Sequence, residues 1–254
     1  MSRTVDIRIG TAGWSIPRAV ASRFAFEGTH LQRYSRLLRC AEINSSFHRP
    51  HAASTYAKWR AATPADFRFA IKAPRTITHD LKLQDAREPF TAFLSQTDGL
   101  AEKRGPILVQ LPPSLSFDAP TVSRFLDMVR AVYDGPVVWE PRHPTWFSPA
   151  AASLLNQYVV SRVAADPPPV PEASAPAGSP RLAYFRLHGS PRMYWSRYGE
   201  SDIANLALSI RALSAATEAW CVFDNTASGA AIENATELHE RLATPRTRPT
   251  PAPR

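Results

Sequence analysis

Residues 182–189 read Leu-Ala-Tyr-Phe-Arg-Leu-His-Gly, a strand-length run closed by a glycine. Side chains alternate across a strand, so Ala183, Phe185 and Leu187 share one face and Tyr184, Arg186 and His188 the other. The same division recurs along the chain. Phe67, Phe69 and Ile71 oppose Arg68, Ala70 and Lys72. Residues 40–45 put Glu42 and Asn44 together, residues 137–142 put Glu140 and Arg142 together, and Gln110 stands opposite Ile107, Val109 and Leu111. In a closed barrel the apolar face meets an outer layer of helices and the other face points inward. The polar residues then collect at the C-terminal ends of the strands, where barrel enzymes carry their sites.

Working outward, eight β-like runs are legible, at 6–10, 40–45, 67–73, 106–111, 137–141, 158–164, 182–188 and 220–225. Helical patterns follow most of them, at 31–39, 54–62, 90–103, 121–132, 150–157, 202–216 and 231–243. Only the sixth gap lacks one; there the stretch 166–181, DPPPVPEASAPAGSPR, intervenes. Proline blocks helix interiors and sheet ladders, so this stretch and the tail 244–254, TPRTRPTPAPR, read as extended, solvated and mobile, the tail as disordered. An open doubly wound sheet is the rival architecture. Its Gly-rich phosphate loop is missing, because Gly10-Thr11-Ala12-Gly13 lacks the third glycine and a following helix start. The expected fold is therefore α/β, a single (β/α)8 TIM-like barrel over residues 1–243, with helix six lost or replaced by the Pro-rich loop.

Composition narrows the class. Of 254 residues 44% are hydrophobic, which excludes a disordered chain. No apolar run is long enough to span a membrane, and no signal core follows the start, so a cytoplasmic protein with no membrane partner is expected. Two cysteines, Cys40 and Cys221, make neither a disulfide scaffold nor a cysteine zinc site. The formal charge is +8, but 26 of the 30 cations are arginine and they are scattered. Three of them, Arg246, Arg248 and Arg254, fall in the tail, where no acid balances them. Basicity alone thus supports nucleic-acid binding only weakly.

The strand ends resemble the DUF72 (YecE-like) family of uncharacterised TIM-barrel proteins. The pieces that carry the resemblance run in order along nearly the whole chain: Ile9 to Trp14, Glu42 to Phe47, Phe69 to Pro74, Ile77-Thr78-His79, Gln110 to Pro113, Glu140 to Trp146, Tyr184 to Gly189 with Tyr198 beyond, and Phe223-Asp224-Asn225 followed by Gly229-Ala230 and Asn234-Ala235. Two positions depart from the pattern. His48 stands where the family often has Tyr, and Asp224-Asn225 where it often has an Asn pair, which adds a carboxylate. The resemblance implies a barrel and brings no established reaction.

Chemistry must come from the residues. Lys72, Arg142, Arg186 and His188 could converge on a phosphate or carboxylate, with N–H groups of the Gly10–Gly13 turn helping. Glu140, Glu42 and His188 are the acid–base candidates. Gln110, Asn44, Asn225, Trp14 and Tyr198 are further substrate-binding candidates. The alternative for the same charges is a self-paired network such as Glu42 or Glu140 with Arg186, and for His188 a satisfied core histidine. His79 is either a lid group or a surface histidine. Glu42, Glu140, His143, His188 and Asp224 have the ligand types of a divalent site, but no local spacing supports one and neighbouring cations compete, so a metal is possible and not favoured. Trp14, Phe47, Trp146, Tyr194, Trp195 and Tyr198 could rim the mouth and stack on a sugar or base, or pack the barrel top.

Three functions remain open at this point. The first is an acid–base hydrolase or lyase acting on a small phosphate- or carboxylate-bearing substrate. The second is a nucleic-acid-binding or nuclease-like protein, motivated by the pI, the aromatic rim, Arg192 and Arg197. The third is a non-enzymatic binder of a small anion. No nucleophile-elbow, P-loop or dinucleotide motif is present.

Overall fold

The computed structural model describes residues 5–243. The expectation for the tail at 244–254 lies outside them. Ten strands form one sheet: β1 (Ile7–Ala12), β2 (Cys40–Ile43), β3 (Arg68–Lys72), β4 (Arg104–Gln110), β5 (Val137–Glu140), β6 (Val160–Arg162), β7 (Ala164–Asp166), β8 (Ala177–Gly178), β9 (Leu182–Leu187) and β10 (Glu218–Phe223). β1 pairs in parallel with both β2 and β10, and the parallel ladder runs on through β5 to β6 on one side and through β9 to β7 on the other. β6 and β7 are two halves of one barrel strand, broken at Val163, whose N–H donates to the Trp139 carbonyl at 2.9 Å. The ring therefore closes through this broken sixth strand, giving a TIM-like barrel.

Among the described residues seven α-helices surround it: α1 (His30–Tyr34), α2 (Ala53–Ala61), α3 (Arg87–Thr97), α4 (Ala119–Val132), α5 (Pro149–Gln157), α6 (Glu200–Arg211) and α7 (Ala230–Ala243). Their sequences specify both their ends and their faces. α4 starts on Asp118, whose carboxylate accepts from the Thr121 N–H, with Pro120 in the first turn. It buries Val122, Phe125, Leu126 and Val129, a one-sided stripe at helical spacing.

Side-chain parity sorts the core into two bodies. Phe67, Phe69, Ile71, Ile107, Val109, Trp139, Phe185 and Leu187 join the apolar layer between sheet and helices. Cys40, Ala70, Leu108, Val138, Val163, Leu182, Tyr184, Trp220 and Val222 fill the barrel interior. Because both faces of each strand are buried, the strands read as nearly continuous apolar runs, as in other parallel sheets. Gly10 belongs to the tight part of this interior. A Cβ there would lie 2.0 Å from the Cys40 carbonyl oxygen. Arg8 closes the bottom, paired with Glu218 at 2.8 Å and lying over the Trp220 ring.

The Pro-rich stretch differs from its expectation as a solvated, mobile segment. It carries a 3-10 turn, Pro171–Ser174, and β8, which runs antiparallel to β6. Ala173 is 1% exposed, and the Arg162 guanidinium donates to the Glu172 carbonyl at 2.7 Å. Proline excludes a helix here but leaves carbonyls and small side chains free to dock on the broken strand. Beside it, between β7, β9 and α6, lies a cavity of about 370 Å³ that includes Asp166, Phe185, Leu187, Ile203 and Leu206 in its lining. No helix of the described residues is long and apolar enough to cross a membrane.

Candidate functional site

The C-terminal ends of β2, β5, β9 and β10 converge above the apolar interior on one charged cluster. Its centre is Arg186 on β9, 1% exposed. Arg186 Nη2 donates to Glu42 Oε1 at 2.7 Å and lies 2.8 Å from Asp224 Oδ2, while Nη1 donates to Glu140 Oε2 at 3.2 Å. The Tyr184 hydroxyl donates to Glu42 Oε2 at 2.8 Å from one pleat below. His188 stands between two carboxylates, with Nε2 2.9 Å from Glu140 Oε1 and Nδ1 3.2 Å from Asp224 Oδ2. Arg142, on the turn after β5, donates through Nη2 to Glu140 Oε1 at 2.6 Å.

These pairings fix the electrostatics. Burial alone would raise the Glu140 carboxyl, but Arg186, Arg142 and His188 outweigh it and hold it far below the usual carboxylate range. Asp224 is lowered in the same way, burial opposing and Arg186, His188 and Lys72 prevailing. For Arg186 burial disfavours the charge, yet Asp224, Glu42 and Glu140 together keep it firmly protonated.

Lys72 is the exception. It ends β3 on the interior face, is 8% exposed, and places its ammonium 4.2 Å above the Phe47 ring. Among the described residues no carboxylate lies within 4.0 Å of it and no acceptor takes a hydrogen bond from it. Burial, then Arg186, pushes its pKa down to about 8, although Glu42, Glu140 and Asp224 pull the other way. Phe47 also carries His79 on its edge at 5.0 Å, and His79 is lowered by burial and by Lys72. Asn44 Oδ1, Arg142 Nε and Asn225 Oδ1, near the ends of β2, β5 and β10, are buried without a partner. Such atoms are rare in folded proteins unless something else meets them.

The site thus brings together Glu42, Glu140, Arg142, Arg186 and His188, with Lys72 beside them. It also revises several expectations. Arg186 is engaged by three carboxylates. Both Glu42 oxygens are occupied and the residue is fully buried, so it holds Arg186 in place. Gln110 is half-buried at the end of β4, beside Glu140 in the ladder, its amide 3.5 Å from the Leu111 carbonyl. Thr11 N–H donates to the Tyr34 hydroxyl and Gly13 N–H to the Glu42 carbonyl, which removes both from any anion nest.

Trp14 packs on Trp59 and Phe69 in the outer layer, and Trp146 packs on Trp139 and Phe117, away from the cluster. Tyr198 is 4% exposed and acts as a bracket: its hydroxyl donates to Asp166 Oδ1 at 2.7 Å and accepts from Gly189 N–H. Asn225 donates to the Ser196 carbonyl and to Asn234 Oδ1, anchoring the same loop. Gly189 starts that loop at φ +93°, a conformation suited to glycine. Tyr194, on the loop, sets its ring 5.5 Å from His188 and shields it, and Trp195 is exposed with Arg192 over its face. Arg197 is paired with Glu233 and Glu237. His143 caps the turn at Pro144–Phe147 through Thr145. Among the described residues no three His, Cys, Asp or Glu side chains gather as a metal site requires, and the carboxylates concerned are tied to Arg186.

Asp224 is the site residue that sequence reasoning left outside its acid–base set. Its Oδ2 holds Arg186 and His188 while the residue sits near the solvent side of the cluster, and its place in Phe223-Asp224-Asn225 at the end of β10 was the available signal. Tyr184, on the Arg186 face of its strand by parity, was the other.

A closed parallel barrel whose mouth is a buried Arg–carboxylate–His network defines a TIM-barrel protein with a polar site at the C-terminal strand ends. The model of the DUF72 family, described as a protein of unknown function, matches residues 8–254, and the chain belongs to that family. It is similar to the UPF0759 protein YecE of Escherichia coli K12, 32% identical over 170 residues that cover 65% of this chain and 60% of that protein. It is also similar to the UPF0759 protein YunF of Bacillus subtilis, 24% identical across 93% of this chain and 94% of that one. Among solved structures, a DUF72 family protein from Enterococcus faecalis superposes with a TM-score of 0.80 at 24% identity, covering 97% of this chain and 99% of that one. One from Thermotoga maritima gives 0.78 at 24% identity, covering 93% and 99%. These likenesses show the fold.

Proposed function

We propose that the barrel mouth binds a small phosphate- or carboxylate-bearing substrate and acts on it by acid–base chemistry. The observation that carries this reading is Lys72, a nearly buried cation with no hydrogen-bond acceptor and no carboxylate within 4.0 Å among the described residues, at the edge of a cluster in which the other buried cations are directly paired. An incoming anion supplies the missing partner. Arg142, 11% exposed, keeps a buried Nε without a partner, a second donor an anion could meet. Asp224, ionised and held by Arg186, is the proton-transfer group, and His188, fully buried between Asp224 and Glu140, positions it. Glu140 and Glu42 position them. The test is calorimetric titration with inorganic phosphate. Binding to the wild-type chain, lost by tenfold or more in Lys72→Met and Arg142→Met and kept in the surface variant Lys82→Met, supports the reading; equal affinity in all four refutes it.

A second reading rests on Trp195 and Tyr194, exposed beside the cluster with Arg192 over the Trp195 ring at 4.6 Å. An aromatic platform next to cations suits the bases of a single nucleic-acid strand. Oligonucleotide binding that weakens steeply with salt would favour it over the small-substrate reading.

A further inference from the structure

The chain has only four lysines, Lys58, Lys72, Lys82 and Lys103. Lys58 and Lys82 are exposed. Lys103 is buried, but its ammonium donates to the Arg60 carbonyl at 2.8 Å, the Thr63 carbonyl at 2.6 Å and Thr63 Oγ1 at 3.1 Å, so its three N–H bonds are satisfied. Lys72 is as buried and has none of these. A buried amine over one aromatic ring, with no hydrogen-bond acceptor and no carboxylate in contact, is poorly held in its protonated form and, once neutral, can react through nitrogen.

We propose that Lys72 is an imine-forming lysine, whose amine condenses with the carbonyl carbon of a small anionic aldehyde or ketone bound at the mouth. The inference rests on the anion-binding reading and names its substrate class. The neutral amine attacks the carbonyl carbon, forming a C–N bond while the carbonyl π pair moves to oxygen. That oxygen takes up the proton released from nitrogen. The resulting carbinolamine loses hydroxide together with one further proton, leaving as water, and a C=N bond forms. One aldehyde and one amine give one imine and one water, with no change of oxidation state. Asp224 is the carboxylate near the opening that can relay the protons, and Arg142 the cation that can hold the substrate's anionic end.

The surroundings raise the share of neutral amine. Facing Lys72 are Arg186 from β9, Glu42 from β2, Glu140 from β5, Asp224 from β10 and His79 from the turn after β3. Their balance and the burial leave the amine with a pKa of about 8. At neutral pH that gives roughly 300-fold more free amine than an ordinary lysine has.

The probe is pyridoxal 5′-phosphate, an anionic aldehyde, incubated with the full chain near pH 7.5, reduced with borohydride and mapped by peptide mass spectrometry. The expected result is one adduct, on Lys72, forming at least about tenfold faster than on Lys58 or Lys82 and suppressed by inorganic phosphate. Equal labelling of Lys58, Lys72 and Lys82, or none at Lys72, overturns the proposal. Pyridoxine 5′-phosphate, which keeps the phosphate and lacks the carbonyl, separates the two ideas. If it binds and Lys72 still forms no adduct, the imine fails and the anion site stands. If it does not bind and no adduct forms, both fail. An adduct that phosphate does not suppress overturns the substrate class. In Lys72→Arg, which keeps the charge and loses the primary amine, the adduct should vanish.

Discussion

Arg186 shows how much one residue determines at the mouth. It pairs with Glu42, Glu140 and Asp224, all three buried. Removing one partner of a buried ion pair leaves the other uncompensated, at a cost of about 3–5 kcal/mol. Arg186→Met is therefore expected to lose at least that much in urea unfolding, because three carboxylates are stranded at once. A loss under about 1 kcal/mol would mean that the network contributes little to folding. Much of this cluster was legible in the sequence. Parity placed Glu42, Glu140, Arg186 and His188 on inward faces, because a strand has only two. Parity cannot say which charges pair and which stay open. Three acids from three other strands reach Arg186, which parity alone does not show. Asp224 and Lys72 acquire their roles only when β10 and β3 are brought to the same mouth.

At the scale of elements, the β-like runs and helical patterns correspond to the barrel strands and α1 to α7, because burial on both strand faces and one-sided helices leave strong periodic signals. The misreadings fall where periodicity is absent. The Pro-rich stretch looked solvated, yet it docks on β6 through backbone pairing and Ala173, which no side-chain pattern announces. The loop 189–198 likewise gave its aromatics no assigned places. Trp195 lies outside and Tyr198 inside, because Tyr198 ties β7 to the loop through Asp166 and Gly189. Tyr198→Phe leaves a carboxylate and an N–H without their partner, at about 1–3 kcal/mol. Hydrogen exchange should then quicken across residues 189–196 and stay unchanged in β1 and β10. Uniform quickening would show that Tyr198 supports the whole barrel rather than the loop.

For the whole molecule, the mouth makes stability depend on pH in two opposite ways. Glu140 and Asp224 titrate lower when folded than when unfolded. Their contribution is complete above about pH 4 and is lost as pH falls below it. The urea midpoint should therefore drop steeply below pH 4, and the drop should be shallower in Arg186→Met. Equal slopes would place the acid-sensitive groups elsewhere.

Lys72 acts in the reverse sense. Its folded pKa is lowered, so below about pH 8 the folded chain carries a buried charge the unfolded chain does not, and this penalty fades as pH rises toward 10.5. A group that costs stability where nothing balances it is what a binding function retains. The most direct measurement is the unfolding free energy of Lys72→Met against wild type at pH 7 and again near pH 10. The variant is expected to be more stable by about 1–3 kcal/mol at pH 7, with the difference shrinking near pH 10. A variant less stable at pH 7 would mean that Lys72 is a structural cation of the network, and would contradict the reading of the mouth as a site awaiting an anion.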